Sequence, residues 1–195
     1  WVPRLAGKVD LIPNQKNELW FSADKIGEYH GQCAELCLGA HAYMRFRVIV
    51  DSQEDYDAWV AKFTDLQPQT ASADPQVEQG RQLFATKGCT TCHVMDNYRA
   101  GYHTGDPDFP NLTNFGLRTS IASGLLPNTP ENVAAWLKDP QKIKPANRMP
   151  TLWQADDPKR DDETAAIAAY LDSLGKTDAT QASAQAAEGT NHGRR

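Results

Sequence analysis

Five consecutive residues, Cys89-Thr90-Thr91-Cys92-His93, have the types and spacing for redox chemistry. Two thiols set two residues apart and followed at once by an imidazole match the pattern of covalent haem attachment. Each thiol adds to a porphyrin vinyl group, and the histidine ligates the iron. The spacing has a physical reason: one tight turn presents both sulfurs to neighbouring edges of the same macrocycle. Two other chemistries use paired cysteines, a thioredoxin-like redox couple and half of a zinc site. The first has no need of the adjacent histidine, and the second asks for a further pair at the same spacing. A haem that carries electrons wants a sixth ligand that keeps small molecules off the iron, and a thioether there raises the reduction potential. The chain has three methionines. Met95 is too close to His93 to cross to the opposite haem face, and Met44 lies far upstream. Met149, in the run Asn147-Arg148-Met149-Pro150, can wrap over the distal side in a loop stiffened by proline, with core packing as its alternative role.

A second constellation is Cys33-Ala34-Glu35-Leu36-Cys37-Leu38-Gly39-Ala40-His41-Ala42-Tyr43-Met44. Thiolate, imidazole and thioether ligands together select copper. A mononuclear copper loop needs only one cysteine, so the second demands an explanation, and two bridging thiolates holding two copper ions provide one. A buried cysteine pair, reduced or disulfide-linked, is the plain alternative. A thioredoxin-like copper chaperone is a third, though there the histidine lies far from the cysteines and proline usually follows them.

The elements that must position these residues are readable from pattern. From Trp1 to Val50 the residues read as strands and turns, with a run Glu18 to Ser22 and a later run Tyr43 to Val50. In the later run Phe46, Val48 and Val50 share one face and Arg45, Arg47 and Ile49 the other, the period of a half-buried strand. A short amphipathic helix should follow, capped near Asp51 or Ser52 and carrying Tyr56, Trp59, Val60 and Phe63. The stretch 64–75 is rich in Pro, Ser, Thr and Gln, as a linker would be. Beyond it the pattern predicts a helix from about Pro75 to Lys87 stopped by Gly88, a long irregular stretch, and a helix opened by Thr129-Pro130 with Val133, Trp136 and Leu137. A final helix should run from about Asp161 to Leu174, with Ile167, Tyr170 and Leu171 on one face and Gly175 as its stop. The tail after Gly175 has almost nothing to bury and should be disordered.

The second half resembles a class I cytochrome c, through Gly80 and Phe84 in its first helix, the attachment motif, the Met149 loop and the terminal helix with Tyr170 and Leu171. The resemblance covers roughly 76–175. It implies an all-α domain in which Gly80 permits close crossing of the first and last helices, with Phe84 and Tyr170 packed at the crossing. His103 is left as an ordinary loop residue.

The Cys33–Met44 segment is similar to the dinuclear copper A site in subunit II of cytochrome c oxidase, and the likeness extends back through Trp1-Val2-Pro3 and Gly7-Lys8-Val9-Asp10 to an all-β, cupredoxin-like fold. It implies that Cys33 and Cys37 bridge both coppers, that His41 and the backbone carbonyl of Glu35 serve one, and that Met44 serves the other. The Glu35 carboxylate would touch a magnesium ion shared with the catalytic subunit. The family takes a second histidine from a strand that would lie just before Trp1. His30 is a poor substitute, because three residues from Cys33 on an extended segment its side chain faces the opposite side. Copper binding is then impaired if the chain is complete as given.

Together the resemblances imply two domains: 1–64, a truncated cupredoxin-like fragment with a trailing helix, and 76–175, the cytochrome, joined by 65–75 and followed by the 176–195 tail. They imply the electron-transfer subunit of a bacterial, proton-translocating cytochrome c oxidase. An external donor (a cytochrome c, another small redox protein or a quinol-oxidising complex) would pass electrons to covalent haem c, then to copper A, then to the haem-copper catalytic subunit, among other oxidase subunits, for oxygen reduction. Rival readings are the copper A subunit of a nitric oxide or nitrous oxide reductase, and a free-standing electron carrier. The place implied is the periplasmic or outer face of the bacterial cytoplasmic membrane. The abrupt start at Trp1 suggests a fragment whose anchoring helices lie upstream. A net charge of −5 over 195 residues excludes a nucleic-acid partner, which would require a clustered basic surface. Acidic runs at 51–57 and 156–163 could steer a basic partner or be simple solvated surface.

Overall fold

The computed structural model of the protein describes residues 1–64, 72–95 and 109–176. In the first stretch two strands, β1 (Gly27–Gln32) and β2 (Arg45–Val50), pair antiparallel, with Gly31 opposite Phe46 and His30 opposite Arg47. The Phe46 ring lies over Gly31, where a Cβ would come within 2.3 Å of the ring tip, so a larger residue there would have to push the ring aside. The chain start lies along β1: the Trp1 carbonyl accepts from the Gln32 N–H at 3.0 Å, Val2 is buried, and the Arg4 guanidinium sits over the Tyr29 ring.

Residues 18–22, read as a strand, form none, and Trp20 is 81% exposed; an isolated strand leaves its amides unpaired, and no described strand pairs with it. The alternation expected in β2 is also blurred. Val48 and Val50 are half-buried as expected, but Phe46, on their face, remains 44% exposed. Helix α1 (Gln53–Thr64) begins as predicted. The Ser52 hydroxyl accepts from the Asp55 N–H and donates to the Asp55 carboxylate. Its aromatic residues stack on one another, Trp59 on Phe63 at 4.6 Å and Tyr56 beside Trp59.

The later residues form a helical core. Helix α2 (Pro75–Thr86) is capped by the Asp74 carboxylate, which accepts from the N–H groups of Gln76 and Val77, and the chain leaves it through Gly88 at φ +77°. Helix α3 (Pro130–Lys138) is capped by Thr129, and a short helix α4 (Pro140–Ile143), not anticipated from the sequence, follows its Asp139 cap. Helix α5 (Arg160–Ser173) buries Ile167, Ala168, Tyr170 and Leu171.

Helix α2 crosses α5 at Gly80, where a Cβ would fall 2.0 Å from the Ala166 carbonyl oxygen, and Phe84 meets Tyr170 edge to face at 5.7 Å. The crossing is the one the resemblance implied. A two-residue ribbon, β3 (Ser120–Ile121) with β4 (Leu126–Pro127), departs from an all-helical second half. The molecule thus combines small sheets with helices. The expectations for His103, for most of the 65–75 linker and for nearly all of the tail fall outside the described residues.

Candidate metal centres

The haem motif is placed by the end of α2. After Gly88 the chain makes one tight turn over Cys89–Thr91, and the His93 N–H reaches the Cys89 carbonyl at 2.9 Å. Cys89 and His93 line a cavity of about 710 Å³ whose walls include Phe84, Leu112, Phe115, Val133, Leu137 and Leu171. Burial pushes the Cys89 thiol above its ordinary pKa, the behaviour of a sulfur in apolar surroundings. Cys92 stands on the same turn, half-buried, but is not among the lining residues.

The His93 Nδ1 lies 2.9 Å from the Pro110 carbonyl oxygen. A carbonyl can only accept, so Nδ1 carries the proton and Nε2 keeps its lone pair for a metal. Met149 lines the same cavity, and its sulfur accepts from the Trp136 indole N–H at 3.0 Å. The loop that carries it is tied down: the Met149 N–H donates to the Asn147 side chain, Gln141 donates to the Met149 and Asn147 carbonyls, and Asn147 donates to those of Pro140 and Lys144. An apolar cavity of this size with thiol, imidazole and thioether on its walls fits a haem. Met95 instead packs against the core.

The second cluster comes from the loop between the strands. Cys33 leaves β1 with its N–H on the Met44 carbonyl, and His41 opens a single tight turn at 41–43 that leads into β2. The Cys33 and Cys37 sulfurs lie 3.5 Å apart, both as free thiols, and the Cys37 sulfur is 3.3 Å from His41 Nδ1. That separation is far beyond the ~2.05 Å of a disulfide. The ligand atoms of Cys33, Cys37 and His41 all fall within 4.8 Å of one another, and the Glu35 carbonyl oxygen is 3.3 Å from the Cys33 sulfur.

Contact with Cys33 raises the Cys37 pKa, followed by burial and by the charges of Cys33 and Glu35. Two thiolates this close repel unless a cation lies between them, so the donor set fits soft metal ions. Met44 adjoins through its backbone and is 43% exposed. The Glu35 carboxylate is exposed and accepts from the Leu36 N–H at 3.0 Å. His30 stays outside, its side chain 78% exposed and 3.8 Å from Glu28.

Part of the acidic sequence is internal structure. Glu163 pairs with Lys87 at 2.6 Å and accepts from the Trp153 indole at 2.7 Å, and Asp161 pairs with Lys138 at 2.8 Å. Sequence reasoning did not find Trp136 or the Pro110 carbonyl. Trp136 sits at helical spacing from Val133 and reads as core, while a backbone carbonyl has no residue-type signature.

Comparison with known proteins agrees with both cofactors. Residues 77–175 match the cytochrome c family model, and residues 1–52 match the periplasmic domain of cytochrome c oxidase subunit II. The chain belongs to the cytochrome c family and carries, ahead of that domain, the subunit II domain of cytochrome c oxidase. It is 39% identical over 175 residues to cytochrome c oxidase subunit 2 of Alkalihalophilus pseudofirmus, covering 89% of this chain and 47% of that one. It is 36% identical over 184 residues to the subunit 2 of Bacillus subtilis, covering 89% and 49%. Against the subunit 2 of Cereibacter sphaeroides it is 46% identical over 59 residues, 30% of this chain and 20% of the other. The chain spans about half the length of the first two relatives. The cytochrome c domain implies covalent haem c, and the subunit II domain implies copper A.

Proposed function

We propose that this chain is the electron-transfer part of subunit II of a bacterial respiratory cytochrome c oxidase, with Cys89, Cys92, His93 and Met149 holding haem c and Cys33, Cys37, His41, Met44 and the Glu35 carbonyl holding copper A. The observation that carries it is the coincidence, on one chain, of a Cys33–Cys37–His41 cluster within 4.8 Å and an apolar cavity shared by Cys89, His93 and Met149. When bound, the haem and the copper pair supply one-electron chemistry between an external donor and the catalytic subunit, where oxygen is reduced and protons are translocated.

The chain's own residues supply attachment and rigidity. The turn after Gly88 sets the thiols, Pro110 fixes the His93 tautomer, and Trp136 with Asn147 and Gln141 fixes the thioether. Fixed ligands favour electron transfer, because a site that barely moves between oxidation states has little to reorganise. The exposed Glu35 carboxylate suits an ion shared with the catalytic subunit. The domains proposed are 1–64, cupredoxin-like, and 76–175, joined by 65–75. The location proposed is the outer face of the bacterial cytoplasmic membrane; no helix among the described residues is long and apolar enough to cross a membrane.

The test is to express the full-length gene product and purify it with its co-purifying subunits. Expected are a porphyrin that stays on the chain after denaturation, a mixed-valence resonance shared over two coppers, and oxygen consumption. Porphyrin lost on denaturation, a single-copper hyperfine pattern, or turnover of nitrogen oxides in place of oxygen would each overturn the corresponding part.

A further inference from the structure

We infer that Lys144, Ser123 and Arg47 form a receptor for a carboxylate of the bound haem, so that a strand of the copper-binding part supplies a cation to the haem site. The inference rests on the haem reading above and adds a binding group to it.

The charge inventory of the cavity leads there. The ionisable side chains lining it are Arg45, Arg47, Cys89, His93, Arg118 and Lys144, and no aspartate or glutamate lines it among the described residues. Arg118 is engaged by the Asn111 carbonyl and lies over the Phe115 ring. Lys144 is different. Its ammonium meets only the Ser123 hydroxyl, at 2.5 Å, with no carboxylate of the described residues in ion-pair reach, and burial lowers its pKa. A part-buried ammonium that faces an apolar cleft and has no counter-charge is a ready partner for an anion.

Arg47 carries the second observation. Its terminal nitrogens are spoken for, Nη1 by Glu28 and Nη2 by the Gly124 carbonyl at 2.9 Å, yet its Nε is buried without a partner. Such an orphaned donor calls for an acceptor. Both cations converge on one turn: Lys144 reaches Ser123 and Arg47 reaches Gly124, its neighbour.

That turn is itself unusual. Ala122, Ser123 and Gly124 lie at φ +52°, +63° and +75°, three left-handed residues in succession, two of them not glycine. Backbone strain of this kind persists where the surroundings over-determine it, often at ligand clamps. Haem is an apolar macrocycle with two carboxylates on one edge. A cavity with apolar walls and one cationic corner is complementary to that shape, and charge-assisted hydrogen bonds from Lys144, Ser123 and the Arg47 Nε would hold one carboxylate.

The test uses the full-length protein with its haem attached, comparing the parent with Lys144→Met, Arg47→Met and the conservative Lys144→Arg. Two quantities are read: the porphyrin–carboxylate bending band in the resonance Raman spectrum, and the haem midpoint potential at fixed pH. A cation beside the haem opposes the more positive ferric form, so its loss stabilises that form. The potential should therefore fall in both Met variants, the band should shift in both, and Lys144→Arg should restore the parent values. Ser123→Ala, which removes one hydroxyl, should shift the band alone and serves if a Met variant fails to fold. Variants that keep their haem with band and potential unchanged would overturn the inference while leaving the haem reading intact. A parent chain that carries no porphyrin after denaturation would end both.

Discussion

A thioether is a weak, one-point ligand, and what suits Met149 to the role proposed for it is the set of bonds that remove its freedom. Trp136 donates to the sulfur while Asn147 and Gln141 pin the backbone on either side. One sulfur lone pair accepts from the indole, and a second remains for iron. Replacing Trp136 with Phe leaves a smaller aromatic side chain and deletes that donor, a loss of about 1 kcal/mol in positioning from the hydrogen bond. The expected result is a weakened iron–sulfur charge-transfer band in the ferric spectrum and displacement of Met149 by added imidazole at lower concentration than in the parent. An unchanged imidazole titration would show that the loop alone fixes the sulfur.

At the copper cluster the sign of titration is also fixed by neighbours. Cys37 titrates above its ordinary value because Cys33 shares its proton, so the metal-free loop binds protons more tightly folded than unfolded. That contribution is present at neutral pH and is lost as pH rises through the raised pKa. Alkylation of Cys37 in chelator-stripped protein should stay slow near pH 8 and accelerate only at distinctly higher pH, whereas copper should abolish this dependence. Alkylation already at full rate near pH 8 would contradict it.

Elements with local start and stop signals were legible in the sequence: α2 between Asp74 and Gly88, α3 behind Thr129-Pro130, and α5 before Gly175. Each cap is written in residues adjacent to the element it bounds. The meeting of Cys33, Cys37 and His41, and that of Cys89, His93 and Met149, were legible because ligand chemistry restricts residue type. The ribbon β3–β4, the short helix α4 and the cationic corner were not, since they depend on meetings between distant residues such as Ser123 with Lys144 and Arg47 with Gly124.

The crossing of α2 and α5 is a case where sequence and packing agree, and it can be tested directly. Gly80→Ala places a methyl 2.0 Å from the Ala166 carbonyl oxygen and 2.8 Å from the Tyr170 Cβ, backbone and a buried ring base that cannot yield. Separating the helices should cost about 2–3 kcal/mol, seen as a lower urea midpoint at unchanged slope. The Glu163 pairing ties the end of α2 to α5 in a different currency, charge. Lys87 first, then the Trp153 indole, hold its carboxyl below the usual range, so its stabilisation is complete above the ordinary carboxylate pKa and fades as pH falls through the lowered one. In Glu163→Gln about 1.5 kcal/mol should be lost at pH 7, and the gap to the parent should close in acid.

For the whole molecule the haem is a structural component as well as a redox one. Its cavity of about 710 Å³ is walled by Phe84, Leu112, Phe115, Val133, Leu137 and Leu171, which are also the core of the helical part. The same side chains face both, so an empty cleft leaves part of the core's apolar surface against water, which costs stability. Domains of this size have only about 5–15 kcal/mol of stability. The core and the haem site therefore share one set of side chains, and the helices are expected to lose native packing without the group between them. In the double variant Cys89→Ser, Cys92→Ser, which cannot attach porphyrin, residues 72–176 should keep helical far-ultraviolet dichroism, lose near-ultraviolet aromatic signal and bind a hydrophobic dye. The Cys33–Cys37–His41 loop draws on β1 and β2 instead, and should still take up copper in that variant. A sharp thermal transition with parent-like aromatic dichroism in the haem-free chain would show that the cavity collapses without cost, and that the helical core stands independently of its cofactor.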